Sequence, residues 1–330
     1  MVLLTRSEKN HRSRYRGDVL AARRLAAAAA MLLLAMVLAC NNSDVDFTPP
    51  PTPAPVPFDA DRAFSHLIAQ VGFGPRVPGS RGHTECQDYI MRHLSATARS
   101  IQTQRFEIEC YGDGIFGTNI LASFGRGDLS PMLFACHWDT RPVADKDPFM
   151  ENRHKPIPGA NDGASGVAVL LELATQFHAN PPKREVVLAF LDAEDSGDYE
   201  SCKYCIGSYQ LGQELDTYFP NRPVFGVLID MIGDKDLSIP KEAYSSALAP
   251  DVVSRVWGIA RRLGYSQFKD ELGNPVFDDH VWLNRAGIPT IDIIDFDYPV
   301  WHTLGDTPDN CSKTSLKAVG DVLYVLANED

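Results

Sequence analysis

Four short runs of acids and histidine stand where apolar stretches stop. They are Cys-His-Trp-Asp at residues 136–139, Gly-Ala-Asn-Asp-Gly-Ala-Ser-Gly at 159–166, Asp-Ala-Glu-Asp at 192–195 and Val-Trp-His-Thr at 300–303. Imidazole nitrogen and carboxylate oxygen are donors that zinc accepts, and a catalytic zinc needs three protein ligands with one position left open. Asp162, Asp195 and His302 could supply that set. Taken singly, each run has an ordinary explanation. His137 can cap a strand, Asp162 can N-cap a helix, the acids from Asp192 to Asp195 can be a solvated loop, and Trp301 can belong to the core. Solvated loops have no reason to recur at strand ends, and His302 also stands beside Thr303 and Asp306.

A fifth segment, Val-Phe-Asp-Asp-His-Val-Trp at residues 276–282, sets Asp278, Asp279 and His280 in apolar surroundings. Acids clustered away from water repel one another and lose hydration, so at least one is expected to keep its proton near neutrality. Asp230, at the end of another apolar run, is a third member for a short hydrogen-bond relay.

The elements that must carry these residues follow from periodicity. Apolar residues at three- and four-residue intervals predict helices over residues 59–71, 83–96, 163–177, 250–263 and 313–326. Short apolar runs predict strands over 101–108, 118–124, 132–136, 186–191, 224–232 and 290–294. Their alternation predicts a single α/β domain with a mixed, mostly parallel central sheet flanked by helices. In such sheets ligands gather outside the carboxyl ends of the strands. His137, Asp139, Asp192 to Asp195 and His302 follow predicted strands, and Asp230 lies near the end of another. Asp162 precedes a predicted helix, whose first N–H groups favour a carboxylate.

Ahead of the domain, residues 1–39 carry seven Lys or Arg and two acids, and the apolar run over 25–39 ends at Cys40. A basic start followed by a short apolar run is the pattern of a bacterial export signal. Fifteen apolar residues fall short of the roughly 20 that a spanning helix needs. Val-Leu-Ala-Cys at 37–40 resembles a lipoprotein signal, in which the cysteine is lipidated and becomes the new N-terminus. Residues 40–58 then form a polar, proline-rich tether, and 59–330 the catalytic domain. The expected place is the bacterial cell envelope or periplasm, with the membrane held through a lipid on Cys40. Without its signal the chain carries 24 bases against 41 acids, a net charge of −17, which argues against nucleic acid as a partner. Six cysteines would remain, with 15 possible full pairings that sequence cannot choose among. The Cys-Lys-Tyr-Cys run at 202–205 has redox-motif spacing, but it follows an acidic loop instead of opening a helix, so a structural bridge or free thiols are expected.

The order of these segments, joined by Phe-Gly-Pro-Arg-Val-Pro-Gly-Ser at 73–80 and Leu-Ile-Asp-Met-Ile-Gly at 228–233, resembles that of the animal-type and bacterial glutaminyl-peptide cyclotransferases. The resemblance covers nearly all of residues 60–330 and implies the fold of the co-catalytic zinc aminopeptidases. Two positions separate these relatives. The aminopeptidases usually have Ser before the Asp-His pair and Tyr before the final His-Thr, where this chain has Asp278 and Trp301, as the cyclases do. Carried over, the resemblance implies one zinc held by Asp162, Asp195 and His302. It makes Glu194 the proton shuttle, Asp230 and Asp279 hydrogen-bonding acids, and Trp301 and Asp278 contributors to the substrate pocket. The implied substrate is a peptide or protein with an N-terminal glutamine, converted to pyroglutamate with loss of ammonia.

The chain departs from that family twice. Many relatives have two glutamates where Glu194 and Asp195 stand, and Val167 occupies the position whose cysteine can bridge the equivalent of Cys136 in animal enzymes. The alternative is a di-zinc aminopeptidase, in which His137 and Asp230 complete a second zinc position bridged by Asp162. An inactive, peptide-binding lipoprotein is the third reading. It predicts a damaged ligand set, and none of the candidate ligands is missing.

Overall fold

The computed structural model describes residues 57–127, 129–197 and 202–329, which lie within one compact unit spanning residues 53–330. The expected signal, Cys40 and all but the last two residues of the tether lie outside the described residues.

Two capped helices open the domain. Helix α1 (Ala60–Gly72) begins where the Asp59 carboxylate accepts the Arg62 N–H, and α2 (Arg81–Thr97) where Ser80 accepts the His83 N–H. Each cap satisfies an N–H that has no partner within its helix. Cys86, Ile90 and Leu94, at four-residue spacing on α2, are buried together.

The central sheet holds β1 (Ser100–Glu107), β2 (Phe116–Phe124), β3 (Met132–His137), β4 (Val186–Leu191), β5 (Phe225–Asp230) and β8 (Thr290–Ile294) in the order β1-β2-β4-β3-β5-β8. The pairs β1–β2 and β2–β4 are antiparallel, whereas β4–β3, β3–β5 and β5–β8 are parallel. Helix α3 (Ala164–Ala179) joins β3 to β4 on one side, and the chain later returns to place β5 on the other side of β3. That reversal puts a crevice at the carboxyl ends of the parallel strands.

Residues of β3, β4 and β5 are buried throughout, with alternate side chains entering two cores. Phe134, Cys136, Leu188, Phe190, Val227 and Ile229 pack with α1, α2, α3, α7 (Pro250–Leu263) and α9 (Lys313–Asn328). Leu133, Ala135, Val187, Ala189 and Leu228 face the opposite way, toward Leu211, Leu215, Phe219 and Leu283 on α4 (Ile206–Gln213), α5 (Leu215–Tyr218), the turn after α5, and α8 (Asp279–Arg285). Burial on both faces explains why these strands read as continuous apolar runs.

Periodicity missed a second, two-stranded parallel sheet of β6 (Ile239–Lys241) and β7 (Phe268–Leu272), and the short helix α6 (Ala243–Leu248) along with α4, α5 and α8. β6 is three residues long and centred on Pro240, too short to show a period. Among the described residues no helix is long and apolar enough to cross a membrane.

Cysteine use is now resolved within the described residues. Cys110 is bridged to Cys202 across 92 residues, and Cys86, Cys136, Cys205 and Cys311 are buried free thiols. Cys202 and Cys205 therefore do not pair with each other.

Candidate metal centre and reaction site

The crevice is assembled by backbone devices that the motifs encode. Strand β3 ends at His137, and the Asp139 carboxylate just beyond it accepts the backbone N–H groups of Glu194 (3.0 Å) and Asp195 (3.2 Å). That ties the turn after β4 to the turn after β3. Asp192 belongs to the frame. It accepts from Thr118 N (2.6 Å) and the His83 ring (2.9 Å), while its own N–H goes to Asn119 (3.0 Å).

The loop before α3 is fixed from two sides. Asp306 accepts from Asn161 N (2.8 Å) and Asp162 N (3.1 Å), and the buried Arg76 guanidinium donates to the Gly159 carbonyl (2.6 Å). Burial and the neighbouring Asp162 push the Asp306 carboxyl up to about 7. Gly163 has φ +95°, and a Cβ there would lie 2.5 Å from the Asp139 carbonyl oxygen. The glycine after Asp162 is thus a steric requirement.

On this frame Asp162, Asp195 and His302 bring one donor atom each within 4.8 Å of the others. His302 Nε2 is 3.2 Å from Asp195 Oδ1 and 3.7 Å from Asp162 Oδ2. Asp162 Oδ2 and Asp195 Oδ2 are buried without a hydrogen-bond partner. Unpaired carboxylate oxygens deep in a protein are costly, and a hard cation between them and the imidazole would satisfy all three. The donor set therefore fits zinc.

Outer residues aim these donors. Asp145 Oδ1 lies 3.3 Å from His302 Nδ1, which turns Nε2 toward the acids. Arg141 bonds Asp145 (Nε to Oδ1, 2.7 Å) and donates from Nη1 to Asp195 Oδ1 (3.2 Å), leaving Oδ2 for the cation. Burial opposes a charged His302, but Asp195 and Asp145 outweigh it and raise the ring to about 9.

His137, Asp162 and Asp230 form a second group with donors within 4.8 Å. His137 Nε2 is 3.0 Å from Asp230 Oδ1 and 3.2 Å from Asp162 Oδ1. Asp162 thus serves both groups, one oxygen toward each histidine. Burial works against a charged His137, but Asp230, Asp139 and Asp162 raise its imidazole well above the ordinary value.

Glu194, Cys205 and Asp278 converge as a third group. Burial and Asp278 push the Glu194 carboxyl well above the usual glutamate range, and burial and Asp230 push Asp278 up to about 6. One expected pairing changes here. Asp230 Oδ1 is engaged by His137 (3.0 Å) and by Met231 N (2.8 Å), and the acid it faces is Asp278. Asp279, the first residue of α8, lies beside Ser208 of α4. Successive residues entering a helix point about a quarter-turn or more apart. One aspartate therefore enters the crevice while the next turns toward the neighbouring helix. Behind them, burial and Asp278 raise the buried Asp292 carboxyl well above its usual value.

Trp301 stacks on the His302 ring (centroids 3.8 Å apart, planes at 30°) and packs on Phe296, so it forms a wall beside the ligand group. Ala193 (φ 57°), Met231 (φ 47°) and His302 itself (φ 54°) are left-handed without being glycine. Each costs on the order of 1–3 kcal/mol, and such strain gathers at functional sites.

Sequence reading left Arg141 and Asp145 without a role, read Cys205 only as part of a structural bridge or as a free thiol, and noted Asp306 without assigning it a role. The signal for Asp306 was its spacing from His302. Nothing local to the others foretold their partners.

The Peptidase family M28 model matches residues 119–327, so the chain belongs to that family. Its fold is similar to a leucine aminopeptidase precursor from Bacteroides thetaiotaomicron (TM-score 0.80, 38% identical, covering 84% of this chain and 100% of that one). It is equally similar to the glutaminyl cyclase of the same organism bound to N-acetylhistamine (TM-score 0.79, 37% identical, covering 84% and 100%). In sequence it is 25% identical to the glutaminyl-peptide cyclotransferase of Gloydius blomhoffii, over 77% of each chain.

Proposed function

We propose that this protein is a zinc-dependent glutaminyl-peptide cyclotransferase. The observation that carries the reading is the placement of Asp278. Its Oδ2 is buried without a partner, and the side chain shares the crevice with Glu194 at the position where the aminopeptidases usually have serine. A carboxylate there can accept N–H groups of a glutamine side-chain amide. Glutaminyl cyclases among the similar proteins support the same assignment.

Asp162, Asp195 and His302 would hold the zinc, which would supply Lewis-acid polarisation of the side-chain amide carbonyl. The substrate's α-amine attacks that carbonyl carbon, forming the ring C–N bond. Glu194 takes a proton from the amine and delivers it to the departing amide nitrogen, which leaves as ammonia. Its raised pKa suits a group that must both accept and release a proton near neutrality. Asp278, with Asp230 behind it, receives the amide N–H groups, and Trp301 closes one side of the pocket. Because both reacting groups belong to one molecule, the entropic advantage of proximity is already present in the free substrate, and the pocket's part is to hold the near-attack conformer.

A single zinc per chain is supported by the two unpartnered buried oxygens, Asp162 Oδ2 and Asp195 Oδ2, both from residues of the His302 group. The shared position of Asp162 supports the second reading, a di-zinc aminopeptidase, and leaves a place for its second ion. Upstream, the basic-then-apolar start and Cys40 support export to the cell envelope with a lipid anchor. Labelling with a fatty acid, lost on Cys40→Ser, is the expected outcome.

The test of activity is mass spectrometry of a glutamine-initiated peptide after incubation with the zinc-loaded protein, beside a leucine-initiated control. Loss of one ammonia from the first with the second intact supports the cyclase. Shortening of either peptide by one residue overturns it in favour of the aminopeptidase and assigns His137 and Asp230 to a second metal.

A further inference from the structure

The Cys-x-x-Cys segment has a use that its redox spacing conceals. Cys202 is committed to Cys110, and Cys205 Sγ lies 3.3 Å from Glu194 Oε1, within hydrogen-bond reach for sulfur. Backbone bonds hold the thiol there. Cys205 N donates to the Glu194 carbonyl (2.8 Å) and Ile206 N to the Ala193 carbonyl (3.1 Å). Two residues on, Asn119 donates to the Gly207 carbonyl (2.8 Å), where a Cβ would meet the Asp192 carbonyl oxygen at 2.3 Å. The segment is therefore stitched to the turn that carries Glu194, and Cys205 takes a left-handed backbone (φ 58°) in the process.

We infer that Cys205 is a positioning residue for Glu194, donating its S–H to Oε1 so that Oε2 faces the reacting amine. The inference rests on the cyclotransferase reading for its kinetic consequence, though not for the contact itself. Glu194 has three rotatable side-chain bonds, and Asp278 repels its carboxylate from within the same cluster. Without a donor on Glu194, that repulsion favours rotamers that swing the carboxylate away. A thiol is a weak donor. It can bias the rotamer without binding the carboxylate so tightly that proton transfer is lost.

The test uses the full zinc-loaded chain with Cys205→Ala, Cys205→Ser and Glu194→Gln, each checked for zinc content. For Cys205→Ala the expected loss is about tenfold in kcat on the glutamine-initiated peptide, with KM and bound zinc little changed. Cys205→Ser should restore most of it, because the hydroxyl also donates. In the infrared, the S–H stretching band that Cys205→Ser removes should shift when Glu194→Gln replaces the charged acceptor by an amide.

Wild-type kcat in Cys205→Ala, failure of serine to rescue, or an S–H band indifferent to Glu194→Gln would each overturn the assignment. If the wild-type protein releases no ammonia, the cyclase reading falls, and the infrared comparison still decides the contact. If the alanine variant does not fold, the serine variant and the infrared band carry the decision.

Discussion

Asp139→Asn tests whether the crevice is held together as described. The wild-type carboxylate accepts two backbone N–H groups, from Glu194 at 3.0 Å and Asp195 at 3.2 Å; Asp139 and Asp195 are buried and Glu194 is half-buried. Hydrogen bonds to a charged group contribute roughly 1.5–3 kcal/mol each. Asparagine offers one oxygen to the pair and presents its NH₂ group to the other N–H. One bond is then weakened and the second replaced by a donor facing a donor. The expected loss is about 2–4 kcal/mol, or on the order of 5–10 °C in Tm for a domain of this size. The freed turn also carries Asp195, so zinc affinity should fall by about 10- to 100-fold, as when an outer partner of a ligand is removed. Urea unfolding and competition with a chromogenic chelator would measure the two effects. A variant that keeps both stability and zinc affinity would refute the claim that Asp139 anchors the Glu194–Asp195 turn.

Other substitutions separate chemistry from scaffolding. Glu194→Gln should reduce kcat by about 10²- to 10⁴-fold while the bound zinc, measured by atomic absorption, stays the same. Gly163→Ala meets the Asp139 carbonyl at 2.5 Å with φ at +95°. It should destabilise by at least about 2 kcal/mol and weaken zinc binding by moving Asp162, both visible in a thermal melt with and without metal. Glu242 sets an acid window. Burial tends to raise its pKa, but His280 and the Ser245 and Val276 N–H groups prevail and lower it from 4.5 to about 2. A depressed carboxyl stabilises the fold above 4.5, and that contribution disappears as pH falls through about 2. Glu242→Gln should therefore be less stable at pH 7 and lose less on going to pH 2.5 in urea titrations; equal slopes for both proteins would contradict this.

The elements that position the site were legible because they are long or fully buried. β4 and α7 fall at the predicted bounds, and the remaining β5 and α3 boundaries differ by one or two residues. β6 and the short helices carried too few turns or alternations to register. The site was legible as a set of motifs and illegible as a network. Asp139 acts on Glu194 and Asp195, Asp145 on His302, and Asp306 on Asn161 and Asp162, all far away along the chain, and no local pattern encodes such partners. The pair Asp278 and Asp279 shows the finer limit. Adjacent residues of one type are interchangeable on paper, and only the entry angle of α8 decides which meets Asp230.

Asp162 offers one oxygen to the His302 group and the other to the His137 group, so the two groups cannot be tuned apart. A cation on one side draws electron density from the shared carboxylate and repels a second cation a few ångströms away. Loading should then be anticooperative, with a tight first step and a much weaker second, which stepwise calorimetry with zinc would resolve. Zinc uptake by the shared carboxylate would then be one curve with two unequal steps, and the ambient zinc concentration would set how far along it the site is loaded.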